Sequence, residues 1–396
     1  MVIADDGVRV PRMRADERRG QLVLVAARQF HRRGYHGVSL GSVAMEVGLT
    51  GPALYRHFRN KQALLAAAIA SGLDLVENVL LRKTDSTLDQ LVSAIASTGL
   101  ERPDLWVLLQ RDSHYLDPGL RMQVDAQFTR IIDAFVARAR LESPGLPDEE
   151  ARLLVTAATA VLSLPATVSP ALPRVEYHRE LAAAALACLR TDLRGLDRGH
   201  EYAVPPAVAS TPAEATRKSA IVDAAVSLFY LRGFAGVSLD DIGAAMDMAG
   251  PSILHHFDTK SDILVAAFDR ATTNLTTERE RLNAAMAELP DRVDSYVRFC
   301  LRNRELMGVY VCDAMNLPED ALDRTRAVIR DDVADWTAAL CREAPALEER
   351  IAKVRVQAGM GAVHDLVRLG RFTSRPHIVS ELHALTSAIM LRREPQ

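Results

Sequence analysis

The sequence predicts an all-α chain made of two copies of one module of roughly 200 residues, and three observations carry that expectation. Apolar residues recur at helical spacing, and no stretch alternates convincingly at period two. Residues 18–68 align without gaps on residues 217–267, with Phe30 meeting Phe229 and Gly34 meeting Gly233. About a third of the paired positions are identical, which chance does not give at one offset. Proline and glycine then punctuate the remainder of each copy into further helices.

Composition sets the outer bounds. The chain has 396 residues, 48% of them hydrophobic and 25% charged, which allows sizeable cores over two or three domains. The formal net charge is −3, so any contact with nucleic acid must come from a local patch. The four cysteines have no CxxC spacing, and neither a metal site nor a disulfide framework is expected. Met1 to Asp6 lacks the order of a signal peptide and no apolar run is expected to span a bilayer, so the expected setting is cytoplasmic. No nucleophile–base set, phosphate loop or metal spacing points to an enzyme, and no cofactor is expected.

Each copy opens with an amphipathic helix, carried by Leu22, Val25, Ala26 and Phe30 in the first and by Ile221, Ala225, Leu228 and Phe229 in the second. Gly34 and Gly233 suit the left-handed position that ends them. Ser39 is a good N-cap for a helix whose apolar face is Leu40, Val43, Ala44 and Val47. Gly48 suits the tight turn after it, and Thr50 can cap a very short third helix with Pro52 in its first turn. Leu54 and Phe58 anchor that helix inward, leaving Ala53, Tyr55, Arg56, His57 and Arg59 to face elsewhere. Such a helix suits a phosphate-lined groove.

Long helices follow from about Lys61 to Leu81 and from about Lys260 to Ala287. The repeat continues more weakly, with Leu105, Asp112, Phe128, Ile132, Phe135 and Glu180 meeting Leu306, Asp313, Ile329, Val333, Trp336 and Glu381. The last helices, near 150–164 with 176–190 and 348–369 with 377–392, are rich in Ala, Leu and Val. The expected division is a basic arm at 1–17, a helix-turn-helix unit at 18–68, a helical domain at 69–194, a Pro-rich linker at 195–216, a second helix-turn-helix unit at 217–267 and a second helical domain at 268–396.

The run Gly51-Pro52-Ala53-Leu54-Tyr55-Arg56-His57-Phe58-Arg59-Asn60-Lys61 resembles the motif of the tetracycline-repressor (TetR) family of bacterial transcription regulators. The resemblance is specific over 18–68, looser over 217–267, and rests on length and helicity beyond. It implies a three-helix DNA-binding unit in each module, then a helical domain that binds a small-molecule effector and dimerises through its last two helices. Thr50, Gly51, Pro52, Ala53, Tyr55 and Arg56 would face the major groove, and Ser39, Tyr55, His57 and Lys61 would touch phosphates. The second-copy counterparts are Ser238, Gly250, Pro251, Ser252, His255, His256 and Lys260. Carrying both halves on one chain implies an intramolecular pseudo-dimer, a single chain acting on an asymmetric operator. In layout the chain is also similar to tandem regulators of lipid-uptake operons, which implies a lipid-like effector.

The second copy departs from the motif. Tyr55 becomes Leu254, Thr50 becomes Ala249, Gly48 becomes Asp247, Gly41 becomes Asp240 and Arg59 becomes Asp258. Residues 18–68 hold eight Lys/Arg and one acid, whereas 217–267 hold four Lys/Arg and six Asp. Since phosphate neutralisation supplies most non-specific affinity, the first copy is expected to bind DNA well and the second weakly. An alternative stays open, in which the second copy's acids lie away from the groove; Asp241 then completes a capping arrangement with Ser238. Ahead of the first unit, Arg9, Arg12, Arg14, Arg18 and Arg19 fit either a minor-groove arm or a solvated tail.

Trp106, Arg111, His114, Tyr115 and Phe128 in the first helical domain, and Tyr310, Asp313 and Trp336 in the second, are candidate effector contacts; a satisfied helical core is the other reading. The leading function is a ligand-released repressor. The second is a DNA-binding adaptor whose second module holds a partner or effector.

Overall fold

The computed structural model describes residues 15–82, 85–166, 168, 172–194, 196 and 213–392. The arm residues Arg9, Arg12 and Arg14, and nearly all of the expected linker, lie outside the described residues. Every regular element among the described residues is helical.

The first module runs α1 (Ala15–Arg33), α2 (Leu40–Glu46), α3 (Gly51–Tyr55), α4 (Lys61–Arg82), α5 (Leu88–Glu101), α6 (Asp104–Val107), α7 (Pro118–Glu142), α8 (Asp148–Leu162) and α9 (Arg174–Leu189). The second repeats it as α10 (Ala213–Arg232), α11 (Leu239–Ala244), α12 (Gly250–Ile253), α13 (Lys260–Ala284), α14 (Leu289–Arg302), α15 (Arg304–Asp313), α16 (Glu319–Glu343), α17 (Glu349–Arg368) and α18 (Ile378–Met390). Leu108–Asp112, which continues α6, is a π-helical turn, whereas its mate falls within the regular α15.

The helix-turn-helix units fold for the reasons their sequences suggest. Leu22, Ala26, Phe30, Val43, Ala44, Leu54 and Phe58 are buried in one small core, mirrored by Ile221, Ala225, Phe229, Ile242 and Ile253. Ser39 and Ser42 form a reciprocal capping box, as do Ser238 and Asp241. Gly48 turns at φ +71°, and Asp247 holds the same left-handed turn at φ +52°, a conformation that aspartate tolerates better than most residues. Thr50 stands at the N-cap position of α3 but its side chain makes no capping hydrogen bond. The change to Ala249 therefore costs the second module no cap, contrary to expectation.

α4 also corrects the sequence reading. Lys61–Leu81 is long and apolar enough, at mean hydropathy 1.7, to cross a membrane by length and composition. Its alanines accumulate without forming one unbroken run of large apolar residues, which is why the stretch is easily passed over. Here it is the spine of the first module, with Leu64, Leu65, Ile69, Leu73 and Val76 buried and α1 and α7 packed on it.

The modules meet through their last two helices, α8 and α9 packing on α17 and α9 on α18. At the centre of this contact Glu180, 3% exposed, accepts from Arg355 Nε at 3.3 Å and from Arg392. Arg355 also donates to the Arg392 carbonyl at 3.1 Å. The corresponding Glu381 is instead held by Arg375 of its own module at 2.6 and 2.7 Å, while Arg375 reaches Glu149 of the first module at 3.4 Å on the surface. Removing one member of a buried ionic group strands its partners and costs about 3–5 kcal/mol, whereas an exposed pair contributes about 0–1 kcal/mol. Glu180→Gln should therefore lower unfolding stability in urea by about 3 kcal/mol, and Glu149→Gln by less than about 1 kcal/mol. Equal shifts would contradict the assignment of the buried contact.

Candidate nucleic-acid interface and effector sites

The two reading heads differ at their surfaces. In the first, Leu54 and Phe58 are buried, and Thr50, Pro52, Tyr55 and Arg56 are exposed, with Gly51, Ala53 and His57 half-buried. Nothing lies within 4 Å of where a Cβ on Gly51 would stand. In the second, Gly250 is buried, because the Asp240 carboxylate lies against it in the space a Cβ would fill. Pro251, Leu254 and His255 are exposed, and Ser252 and His256 are half-buried. The start of α2 carries no acid, but Asp241 of α11 accepts from Ser238 N at 2.8 Å, and these bonds hold its carboxyl down at about 2. A carboxylate thus stands beside the hydroxyl expected to meet a phosphate, and the two anions would repel.

The paired lysines also diverge. Lys61 Nζ sits over the Tyr35 ring, 4.3 Å from its centroid, and burial lowers its pKa. Lys260 Nζ donates to the Phe234 and Val237 carbonyls, each at 2.6 Å, and covers the Phe234 ring at 4.2 Å. Lys260, expected among the DNA contacts, thus has its ammonium bonded to two carbonyls of its own head.

A hinge joins each head to its helical domain. Arg111 pairs with Asp112 and donates to the Phe30 carbonyl at 2.7 Å and the His31 carbonyl at 3.4 Å, satisfying last-turn carbonyls of α1 with a cation. Tyr115 stacks on Tyr35 at 4.7 Å. In the second module Asp313 accepts from Phe234 N at 3.0 Å and from Asn316. Three expected effector contacts, Arg111, Tyr115 and Asp313, thus belong to the hinges instead. Their polarity read as a ligand signal, but it serves the ends of the first helices.

A model of bacterial regulatory proteins of the tetR family matches residues 22–68 and again 221–267. The HTH-type transcriptional activator FasR of Mycolicibacterium smegmatis is 31% identical over 161 residues, which are 39% of this chain and 72% of that protein. The chain belongs to the tetR family. Among solved structures it is similar to a TetR-family regulator from Bordetella parapertussis, at 18% identity over 42% of this chain and 93% of that one, with TM-score 0.38. It is also similar to PfmR from Thermus thermophilus, at 21% identity over 43% and 97%, with TM-score 0.37. As a tetR-family protein the chain is a DNA-binding regulator and not an enzyme.

The remaining effector candidates of this TetR-family chain fall in two places. Tyr310 lines a chamber of about 40 Å³ inside the second module, walled by Phe268, Met360 and His364. Leu275, Tyr296, Phe299 and Asp332 separate it from a groove of about 990 Å³ between α13, α14 and α16, which Trp336 also lines. That groove carries Arg279, Arg281, Arg292, Arg298 and Arg302, of which Arg279, Arg281 and Arg298 are paired with Asp332, Glu278 and Asp294 on the same walls. Tyr296 Oη and His364 Nε2 are 2.5 Å apart, and burial holds the imidazole neutral, its pKa lowered to about 4. Burial raises Asp332 to about 6 against the pull of Arg279. Trp106, His114 and Phe128 instead line a crevice of about 500 Å³ between the modules. Tyr296 and Asp332 were missed; the available signal was an acid four residues before Trp336 on an otherwise apolar helical face.

Burial also raises Asp313, from the ordinary 3.8 to about 6, the Phe234 N–H opposing it. A carboxyl whose folded pKa is raised stabilises the fold below its unfolded value and loses that contribution as pH climbs through the folded one. The advantage in Tm of the wild-type chain over Asp313→Asn should therefore shrink between pH 4 and pH 6.5. An advantage that grows across that range would contradict the assignment.

Proposed function

We propose that this chain is a cytoplasmic, ligand-released repressor that acts on an asymmetric operator as a single-chain pseudo-dimer. One observation carries the reading: two unequal heads are joined through a buried contact between modules of the same chain. The first head offers Tyr55, Arg56 and an open α3 start, with Ser39, His57 and Lys61 alongside for phosphates. The second replaces these with Leu254, His255 and the Asp240 carboxylate against Gly250. Two unlike heads match two unlike half-sites.

The effector proposed for the second module is lipid-like. The small apolar chamber suits the end of a hydrocarbon, and Arg292 and Arg302, with no carboxylate within 4 Å among the described residues, suit an anionic head in the groove beside it. A second reading is favoured by the committed Lys260 and by Asp240. In it the chain is an adaptor whose first head alone reads DNA, while the second module serves a partner or effector.

Salt titrations of operator binding test the inequality. Lys61→Ala should weaken binding to all sequences and reduce the salt slope by about 1, and Arg56→Ala should relax base preference by about 1–3 kcal/mol at its position. Lys260→Ala should leave the slope unchanged. Equal slopes in the two lysine variants would overturn the reading.

A further inference from the structure

The crevice between the modules is not explained by the heads, the hinges or the second-module chamber. One wall comes from the first module, with Trp106 on α6, His114, and Phe128 and Ile132 on α7. The opposite wall includes Phe229, Leu231 and Gly233, at the end of the first helix of the second head. His114 packs so closely there that a Cβ on Gly233 would stand 2.9 Å from its ring.

Two features of this lining call for a ligand. Neither buried ring nitrogen of His114 makes a hydrogen bond of normal geometry, although the Arg111 carbonyl is near enough to oppose the effect of burial. Unmade buried hydrogen bonds cost about 1–3 kcal/mol each, and a polar atom of a ligand would recover part of that. The charges are also unbalanced. Arg121 lies 3.6 Å from Asp125 and Arg368 2.7 Å from Asp365, but Arg371, also on the lining, has no carboxylate within 4 Å among the described residues. Phe128, Ile132, Phe229 and Leu231 supply apolar walls, and about 500 Å³ is within the usual range for a small-molecule site.

We propose that this crevice is a second ligand site, for an apolar monocarboxylate, distinct from the chamber and groove of the second module. The single surplus guanidinium selects one negative charge, and the aromatic walls hold the apolar body. An occupant touches the first module's helical domain and the second module's first helix together, so it sets the second head against the first module. The site does not depend on what the heads read.

The chain's two tryptophans make the test direct, because Trp106 lines the crevice and Trp336 lines the groove. The full-length Trp336→Phe protein leaves Trp106 as sole reporter, and Trp106→Phe leaves Trp336. Each is titrated with decanoate, 1-naphthylacetate and the uncharged decanol, folding being checked by circular dichroism. The proposal expects a saturable change of Trp106 emission with at least one acid, and at least about tenfold weaker binding of decanol. It also expects Arg371→Gln, at an exposed position, to weaken acid binding about tenfold. No saturable change of Trp106 emission with either acid, a signal carried by Trp336 alone, or unaltered acid binding in Arg371→Gln would each overturn it.

Discussion

A carboxylate buried between two arginines sets the terms for the rest of this molecule. Glu180 of the first module is closed off from water and is paired with Arg355 and Arg392 of the second. The Arg392 side chain is only 10% exposed, and burial pulls its guanidinium down to about 10. The repeat places Leu154 where the second module has Arg355, and Thr191 where it has Arg392. Two copies of the first module would then bring Glu180 against a leucine and leave a buried charge alone, at a cost of several kcal/mol. The contact is thus not self-complementary, and it favours pairing one module with its unlike mate. Divergence of the two heads becomes tolerable once the pairing is fixed.

From that contact to the heads the path is short. α17 packs on α15, and at the hinges Asp112 and Asp313 hold the backbone amides of Tyr35 and Phe234, just after α1 and α10. In the first module Tyr35 stands between Tyr115 of the helical domain and the ammonium of Lys61. In the second module Phe234 takes the same place, but Lys260 is tied to two carbonyls there. Both lysines lie over an aromatic ring of the hinge, and only Lys260 is also bonded to carbonyls of its own head.

Much of this could be read in the sequence because it follows from local rules. The spacing of Leu40, Val43, Ala44 and Val47, the serine caps, and Gly34 and Gly48 at positive φ are settled within a few residues. So is the contrast in charge between the heads. What escaped the sequence depends on residues far apart in the chain. Arg111 and Asp313 carry the polarity expected of a ligand site, yet they end the first helices some 80 positions away. The Asp240 carboxylate against Gly250 is a packing fact across a turn, and no composition count reveals it. Glu180 showed only that both copies keep an acid; its partners, more than 170 residues on, depend on how the modules meet.

The central claim is that one chain contains both halves of the pair. Light scattering coupled to gel filtration, on the full chain at low micromolar concentration without DNA, tests it most directly. The account predicts a mass close to the 43.4 kDa of a single chain. A mass near twice that value, persisting on dilution, would contradict it.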